Sequence, residues 1–213
     1  MPVVLIVNPK GGVGKSTVAT NLAGYFATRG HRTMLGDLDK QQSSSAWLQV
    51  RPAAAAPIES WDISADRIAR PPKGVSHVVL DTPAGMHGQL LRDALKVADR
   101  VIVPLQASLF DIYATQAFLQ KLTDKGVLKD GDERLAVLGM RVDARTRSAE
   151  QLHRFVSGLN VPVLGFFRDT QNYVQLAAHG LTLWDVAPSR VDKDLAQWDN
   201  VLAWVDACAA VAA

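Results

Sequence analysis

The stretch Asn8-Pro9-Lys10-Gly11-Gly12-Val13-Gly14-Lys15-Ser16-Thr17 constrains this chain more than any other. It is entered from the apolar run Val3–Val7 and left through a helix-period segment, Ser16–Thr28. A glycine loop between a strand and a helix lets backbone N–H groups turn inward around phosphate oxygens. The helix N-terminus adds partial positive charge at the same point. Lys15 then reaches the β- and γ-phosphates, and the Ser16 hydroxyl is a ligand for Mg²⁺. The usual spacing is G-x-x-x-x-G-K-[S/T]. Here Pro9 takes the place of the first glycine, and an additional lysine, Lys10, precedes the glycine pair.

The rest of the chain alternates in the same way. Apolar runs at Val3–Val7, Thr33–Gly36, Val78–Leu80, Arg100–Pro104, Leu135–Gly139 and Val161–Gly165 read as strands, with Ile58–Trp61 a weaker one. Several are apolar almost throughout, as expected of strands covered on both faces. Helical patterns lie at Ser16–Thr28, Gly88–Ala98, Ile112–Thr123, Ala149–Ser157, Asn172–Ala178 and Asp194–Ala207. The alternation predicts an α/β fold, a mainly parallel sheet with helices on both faces, and residues 1–213 as one domain. Arg51–Pro57 reads as a loop. Ligands of such folds sit at the carboxyl ends of the strands.

Composition excludes several classes. The single cysteine, Cys208, permits no intrachain disulfide and no Cys-rich metal site, and it reads as an inert thiol. No apolar run reaches the roughly 20 residues of a membrane span. The N-terminus has no basic region of a signal peptide, so a cytoplasmic protein is expected. The five histidines have no metal-ligand spacing. His77 and His153 read as packing or surface residues, and Trp198 and Trp204 as core or interface anchors.

Two further strand ends carry acids. Leu35-Gly36-Asp37-Leu38-Asp39-Lys40 closes the second strand. Residues two apart in an extended segment share a side, so both carboxylates can face a metal and a γ-phosphate. Val78-Val79-Leu80-Asp81 is an apolar strand ending in Asp, the Walker B pattern, and Thr82-Pro83-Ala84-Gly85 follows.

The K-G-G-x-G-K-[S/T] form of the loop is the deviant Walker A motif, and through it the sequence resembles the ParA/MinD family of P-loop ATPases, most of all the small ParA-type partitioning ATPases. The resemblance implies ATP and Mg²⁺ as ligands, with residues Lys10, Gly11, Gly12, Val13, Gly14, Lys15, Ser16 and Thr17 around the nucleotide. It implies Lys10, Lys15 and Asp39 as catalytic residues. Lys10 would reach across a dimer interface to the partner's phosphates, and Asp39 would position or activate the attacking water. Ser16, Asp37 and Asp81 would hold Mg²⁺, some through water. Asp81-Thr82-Pro83-Ala84-Gly85 matches the family's switch II, where Gly85 could offer its N–H to the γ-phosphate. Lys40 stands where the family has proline, which predicts a less rigid loop and slow turnover. Val103–Ser108 resembles the segment after the family's next core strand. In Gly139-Met140-Arg141-Val142-Asp143, Arg141 takes the approximate place of a base-reading asparagine, so the base-reading residue stays open. The region from Phe166 to Gly180 resembles the family's last strand–loop–helix. The match spans nearly the whole chain, specific in the three nucleotide motifs and loose after about residue 105.

The function so implied is an ATP-dependent homodimer that binds nonspecific DNA. A ParB-like or cargo-bound adaptor would stimulate hydrolysis and release it, segregating or positioning a plasmid, a chromosome locus or a protein cargo. The protein would be cytoplasmic and nucleoid-associated. Net charge is only +2. The cations between Arg134 and Lys193 are interleaved with acids, so any patch rests on doubling by the dimer. Arg168, Arg190 and Lys193 are the candidates for it. Only Met1 and Pro2 precede the first strand, so no N-terminal DNA-binding extension and no promoter autoregulation are expected. Two alternatives share the fold. A MinD-like membrane-cycling ATPase would end in a basic amphipathic helix, whereas the tail from Leu195 carries Asp199 and Asp206 and no Lys or Arg. A metabolic ligase resembling dethiobiotin synthetase would lack the K-G-G signature. Iron–sulfur relatives need cysteines that this chain does not have.

Overall fold

The computed structural model describes residues 2–61, 63, 68, 71–129 and 131–211. Seven strands, β1 (Val3–Ile6), β2 (Thr33–Asp37), β3 (Ile58–Trp61), β4 (His77–Asp81), β5 (Arg100–Gln106), β6 (Leu135–Met140) and β7 (Val163–Phe166), form one sheet in the order β3-β2-β4-β1-β5-β6-β7. Every pairing is parallel. The helices are α1 (Lys15–Thr28), α2 (Ser43–Val50), α3 (Gly88–Val97), α4 (Leu109–Asp124), α5 (Arg147–Ser157), α6 (Gln171–Ala177), α7 (Asp192–Leu195) and α8 (Asp199–Val211).

The period of two along each strand divides the core. Val3, Leu5 and Val7 face the layer of α3, α4 and α5, packing with Leu91, Leu95, Phe118 and Leu152. Val4 and Ile6 face the layer of α1 and α8, packing with Leu22, Phe26, Trp198 and Val201. Both faces are therefore dry, which is why the central strands read as unbroken apolar runs. Fully burying one such Leu or Ile contributes roughly 1.5–3 kcal/mol. Trp198 is an anchor of the second layer, its indole N–H donating to the Tyr173 hydroxyl at 3.0 Å. Trp204 is half-buried under the Arg100 guanidinium. His77 is buried beside Phe26, and the exposed His153 lies on the Phe166 ring. No helix among the described residues is long and apolar enough to cross a membrane.

Three expectations shift. The weak candidate Ile58–Trp61 is a full edge strand paired with β2. Helix α2 has no counterpart among the predicted helices, because its Ser43-Ser44-Ser45 start reads locally as a turn. A tertiary bond makes it helical: the Ser45 N–H donates to Asp37 Oδ2 at 3.0 Å. The segment expected as one helix over Asp194–Ala207 is α7, a tight 3₁₀ turn at Ala196–Trp198 and then α8. That turn aims Gln197 at the end of β7, where its side chain bonds Phe166 O and the Arg168 N–H.

Candidate nucleotide-binding site

The strand register builds the site. Asp81 stands opposite Ile6 on one side and Asp37 on the other, so the glycine loop and both acids share one sheet edge. Gly12 and Gly14 sit at φ 75° and 93°, the left-handed region that turns the loop and starts α1 without a Cβ. The loop is clamped from three sides. Buried Asn8 accepts the Lys10 N–H at 2.8 Å and donates to Pro104 O at 2.9 Å and Thr115 Oγ1 at 3.1 Å. Gln106 Nε2 donates to Gly12 O at 2.8 Å, and the Gly85 N–H donates to Pro9 O at 2.8 Å. Val13 is buried beneath the loop.

The two lysines behave differently. Lys15 is buried, and its ammonium donates to Lys10 O at 2.8 Å. Burial pulls its pKa below the ordinary lysine value, while Asp81 and Asp39 act in the opposite sense. Lys10 instead points outward, 42% exposed, with Nζ 3.9 Å from Asp111 Oδ1. A buried cation at a glycine loop that opens a helix suits a polyanion.

Asp81 is 1% exposed. Its Oδ2 accepts Ser44 Oγ at 2.6 Å and its Oδ1 accepts the Thr82 N–H at 3.0 Å. Burial pushes the carboxyl up to about 6; hydrogen bonds from Ser16 and Ser44 and the charge of Lys15 oppose this, and Asp37 adds to it. Asp37 accepts the Asp39 N–H at 2.9 Å, and Asp39 accepts the Gln41 N–H at 3.0 Å. The donor set around Ser16, Asp37 and Asp81 is all hard oxygen, as Mg²⁺ requires. No group of three or more His, Cys, Asp or Glu able to hold a metal occurs among the described residues. A divalent ion here would therefore share its shell with phosphate oxygens and water, which fits Mg²⁺. Thr82 is buried, its hydroxyl donating to Ile6 O at 2.8 Å; Pro83 is half-buried, and Ala84 and Gly85 are exposed.

A cavity of about 440 Å³ opens beside the loop, lined by Gly14, Thr17, Met140, Arg141, Thr170 and Tyr173 among others. Arg141 has φ 52° and lies 4.0 Å from Asp169. The three cations singled out for DNA are near one another in the fold but differ in state. Arg168 Nε donates at 2.6 Å to Asp194, which is buried beside Lys193. Arg190 and Lys193 are exposed and make no ion pair among the described residues.

Sequence reasoning missed Asn8, Ser44 and Gln106. Asn8 carried a local signal, a lone amide between an apolar strand and the loop. Ser44 and Gln106 carried none, since their partners come from other elements.

The CobQ/CobB/MinD/ParA nucleotide-binding domain family matches residues 4–183. The chain is 31% identical to the maintenance of carboxysome distribution protein A of Gloeobacter kilaueensis, over 85% of this chain and 83% of that one. It is 30% identical to the chromosome-partitioning ATPase Soj of Thermus thermophilus, over 70% of this chain and 73% of that one. Among solved structures, a McdA–ATP complex from Cyanothece superposes with a TM-score of 0.67 at 15% identity, covering 94% of this chain and 96% of that chain, a likeness of fold. The chain belongs to the CobQ/CobB/MinD/ParA family of P-loop ATPases, on the side of its ParA, Soj and McdA members.

Proposed function

We propose that this chain is a nucleotide-switched partitioning ATPase. The observation that carries the reading is the loop itself: Lys15 is turned in beneath it, and the additional Lys10 is turned out. ATP would lie with its phosphates against the N–H groups of residues 11–17 and its base in the cavity flanked by Met140, Arg141 and Tyr173. Ser16, Asp37 and Asp81 would hold Mg²⁺, which when bound neutralises charge between the β- and γ-phosphates. Asp39 would orient the attacking water, and Lys15 would offset charge on the γ-phosphoryl oxygens.

A second copy supplies a use for the exposed Lys10. Next to Asp111 the start of α4 exposes Leu109 (46%), Phe110 (77%) and Tyr113 (59%), an apolar patch that an ATP-closed homodimer would cover. Closure would carry Lys10 to the partner's phosphates and bring the exposed cations of the two copies onto one body. Arg190 and Lys193 are the stronger candidates for phosphate-backbone contacts, because Arg168 is held by Asp194. Hydrolysis, slow alone and stimulated by a ParB-like or cargo adaptor, would open the dimer and release it from nonspecific DNA. The protein would then act in the cytoplasm, on the nucleoid.

The test is binding to nonspecific duplex DNA with ADP, ATP and a nonhydrolysable analogue, across a salt series. Binding only with ATP or the analogue, weakening steeply with salt, supports the switch. No binding in any nucleotide state sinks the nucleoid mechanism. Lipid binding would then favour the membrane-cycling alternative, and turnover with a small-molecule acceptor would favour the ligase.

A further inference from the structure

A groove of about 520 Å³ runs between α3 and α4, beside the nucleotide site, which it meets at Pro9, and its inner wall is the loop Gly85–Gly88. Its floor is apolar, with buried Met86, Leu91 and Phe118. The charged side chains that line it are all cations: Arg92 from α3, and Lys121 and Lys125 from the end of α4. No carboxylate lines it among the described residues. The Arg92 guanidinium bonds only a neutral group, Gln89 Oε1, at 2.8 and 3.2 Å. Lys121 and Lys125 form no ion pair among the described residues. The nearest acids on the same helices are engaged elsewhere: Asp93 accepts Gln89 and pairs with Lys96, and Asp124 accepts Gln120. An apolar trench rimmed by uncompensated cations complements an apolar segment that bears carboxylates.

We propose that this groove is the docking site for a short acidic amphipathic segment of a partner protein, its apolar side chains in the trench and its carboxylates on Arg92, Lys121 and Lys125. The wall it would touch leads directly from Asp81 and is tied to the glycine loop through Gly85 N–H and Pro9 O at 2.8 Å. A docked segment therefore bears on the loop that follows the γ-phosphate. This consequence rests on the ATPase reading above, whereas the docking does not.

The probe is a displayed library of random peptides of about 16 residues, selected on the full chain with Mg-ADP. Selected peptides are then measured by fluorescence anisotropy. The expected result is enrichment of sequences pairing apolar residues with Asp or Glu. Binding should weaken at least tenfold with Lys121→Glu/Lys125→Glu, whose side chains are exposed and leave the core intact. It should also weaken at least tenfold with Ala117→Trp, which fills the groove from an exposed position. Enrichment without acids, or binding indifferent to both variants, overturns the proposal. Self-association abolished by Ala117→Trp, with no peptide selected, also overturns it and assigns the groove to a second copy. Anisotropy needs no nucleotide chemistry, so intact docking by a chain that binds no ATP in calorimetry would refute the ATPase reading alone.

Discussion

Arg51 and Asp185 lie far apart in sequence and form a buried, two-pronged ion pair at 2.8 and 3.0 Å, with side chains 5% and 4% exposed. Arg51 also donates to Ala56 O and Gly180 O, and Asp185 accepts the Thr182 N–H and hydroxyl. Replacing Arg51 with Met leaves a buried carboxylate and two carbonyls without their donor. Breaking one side of a buried pair costs about 3–5 kcal/mol. For a chain of this size that corresponds to a fall in Tm of about 10 °C. Urea and thermal unfolding of the nucleotide-free protein at pH 7 measure it. The double variant Arg51→Met/Asp185→Leu removes both charges and should recover at least half of the loss. The pH dependence adds a check. Burial raises the Asp185 carboxyl, but hydrogen bonds from Arg51 and Thr182 outweigh it and hold it below the ordinary range. A depressed folded pKa contributes stability above the unfolded value that is lost as pH falls through the folded one. Arg51→Met should therefore flatten the acid limb below about pH 4. A cost under about 1 kcal/mol, the worth of a surface pair, would refute the reasoning.

Five further outcomes are expected. Burial and neighbouring His31 lower His77 to about 4, so the folded state binds fewer protons and stability rises between about pH 4 and 6.5; His77→Phe should remove up to about 3 kcal/mol of that slope in urea titrations. Gly180 has φ 67°, and a Cβ there would lie 2.5 Å from the Arg51 backbone, so Gly180→Ala should cost more than about 3 kcal/mol in the same assay. Asn8→Ala strips partners from buried Pro104 O and from the Lys10 N–H; a loss of about 2–3 kcal/mol with weaker nucleotide binding by calorimetry is expected. Lys10→Ala should abolish ATP-driven dimerisation in sedimentation while changing stability by less than about 0.5 kcal/mol, and Asp39→Ala should bind ATP yet accumulate the closed dimer; unchanged association or unchanged hydrolysis would remove these residues from their roles.

What was legible in the sequence was contiguous. The phosphate loop occupies ten successive residues between a strand and a helix, so its glycines, Lys15 and Ser16 could be read from local geometry alone. The central strands were visible because both of their faces are buried and they are therefore almost wholly apolar; the edge strands gave less, Ile58–Trp61 because Glu59 and Ser60 interrupt it and Val163–Phe166 because its exposed start blurs the boundary. Asp37 and Asp81 were visible because each ends such a run.

Only the tertiary structure decided the rest. Helix α2 forms because Asp37 captures the Ser45 N–H, a bond that no local propensity of a serine run signals. Ser44 meets Asp81 across 37 residues and Arg51 meets Asp185 across 134. The cationic groove arises from side chains of α3 and α4 that share no sequence pattern. Backbone geometry and hydrophobic period are short-range and are written into neighbouring residues. The satisfaction of a buried polar group depends on which distant element the packed sheet brings beside it.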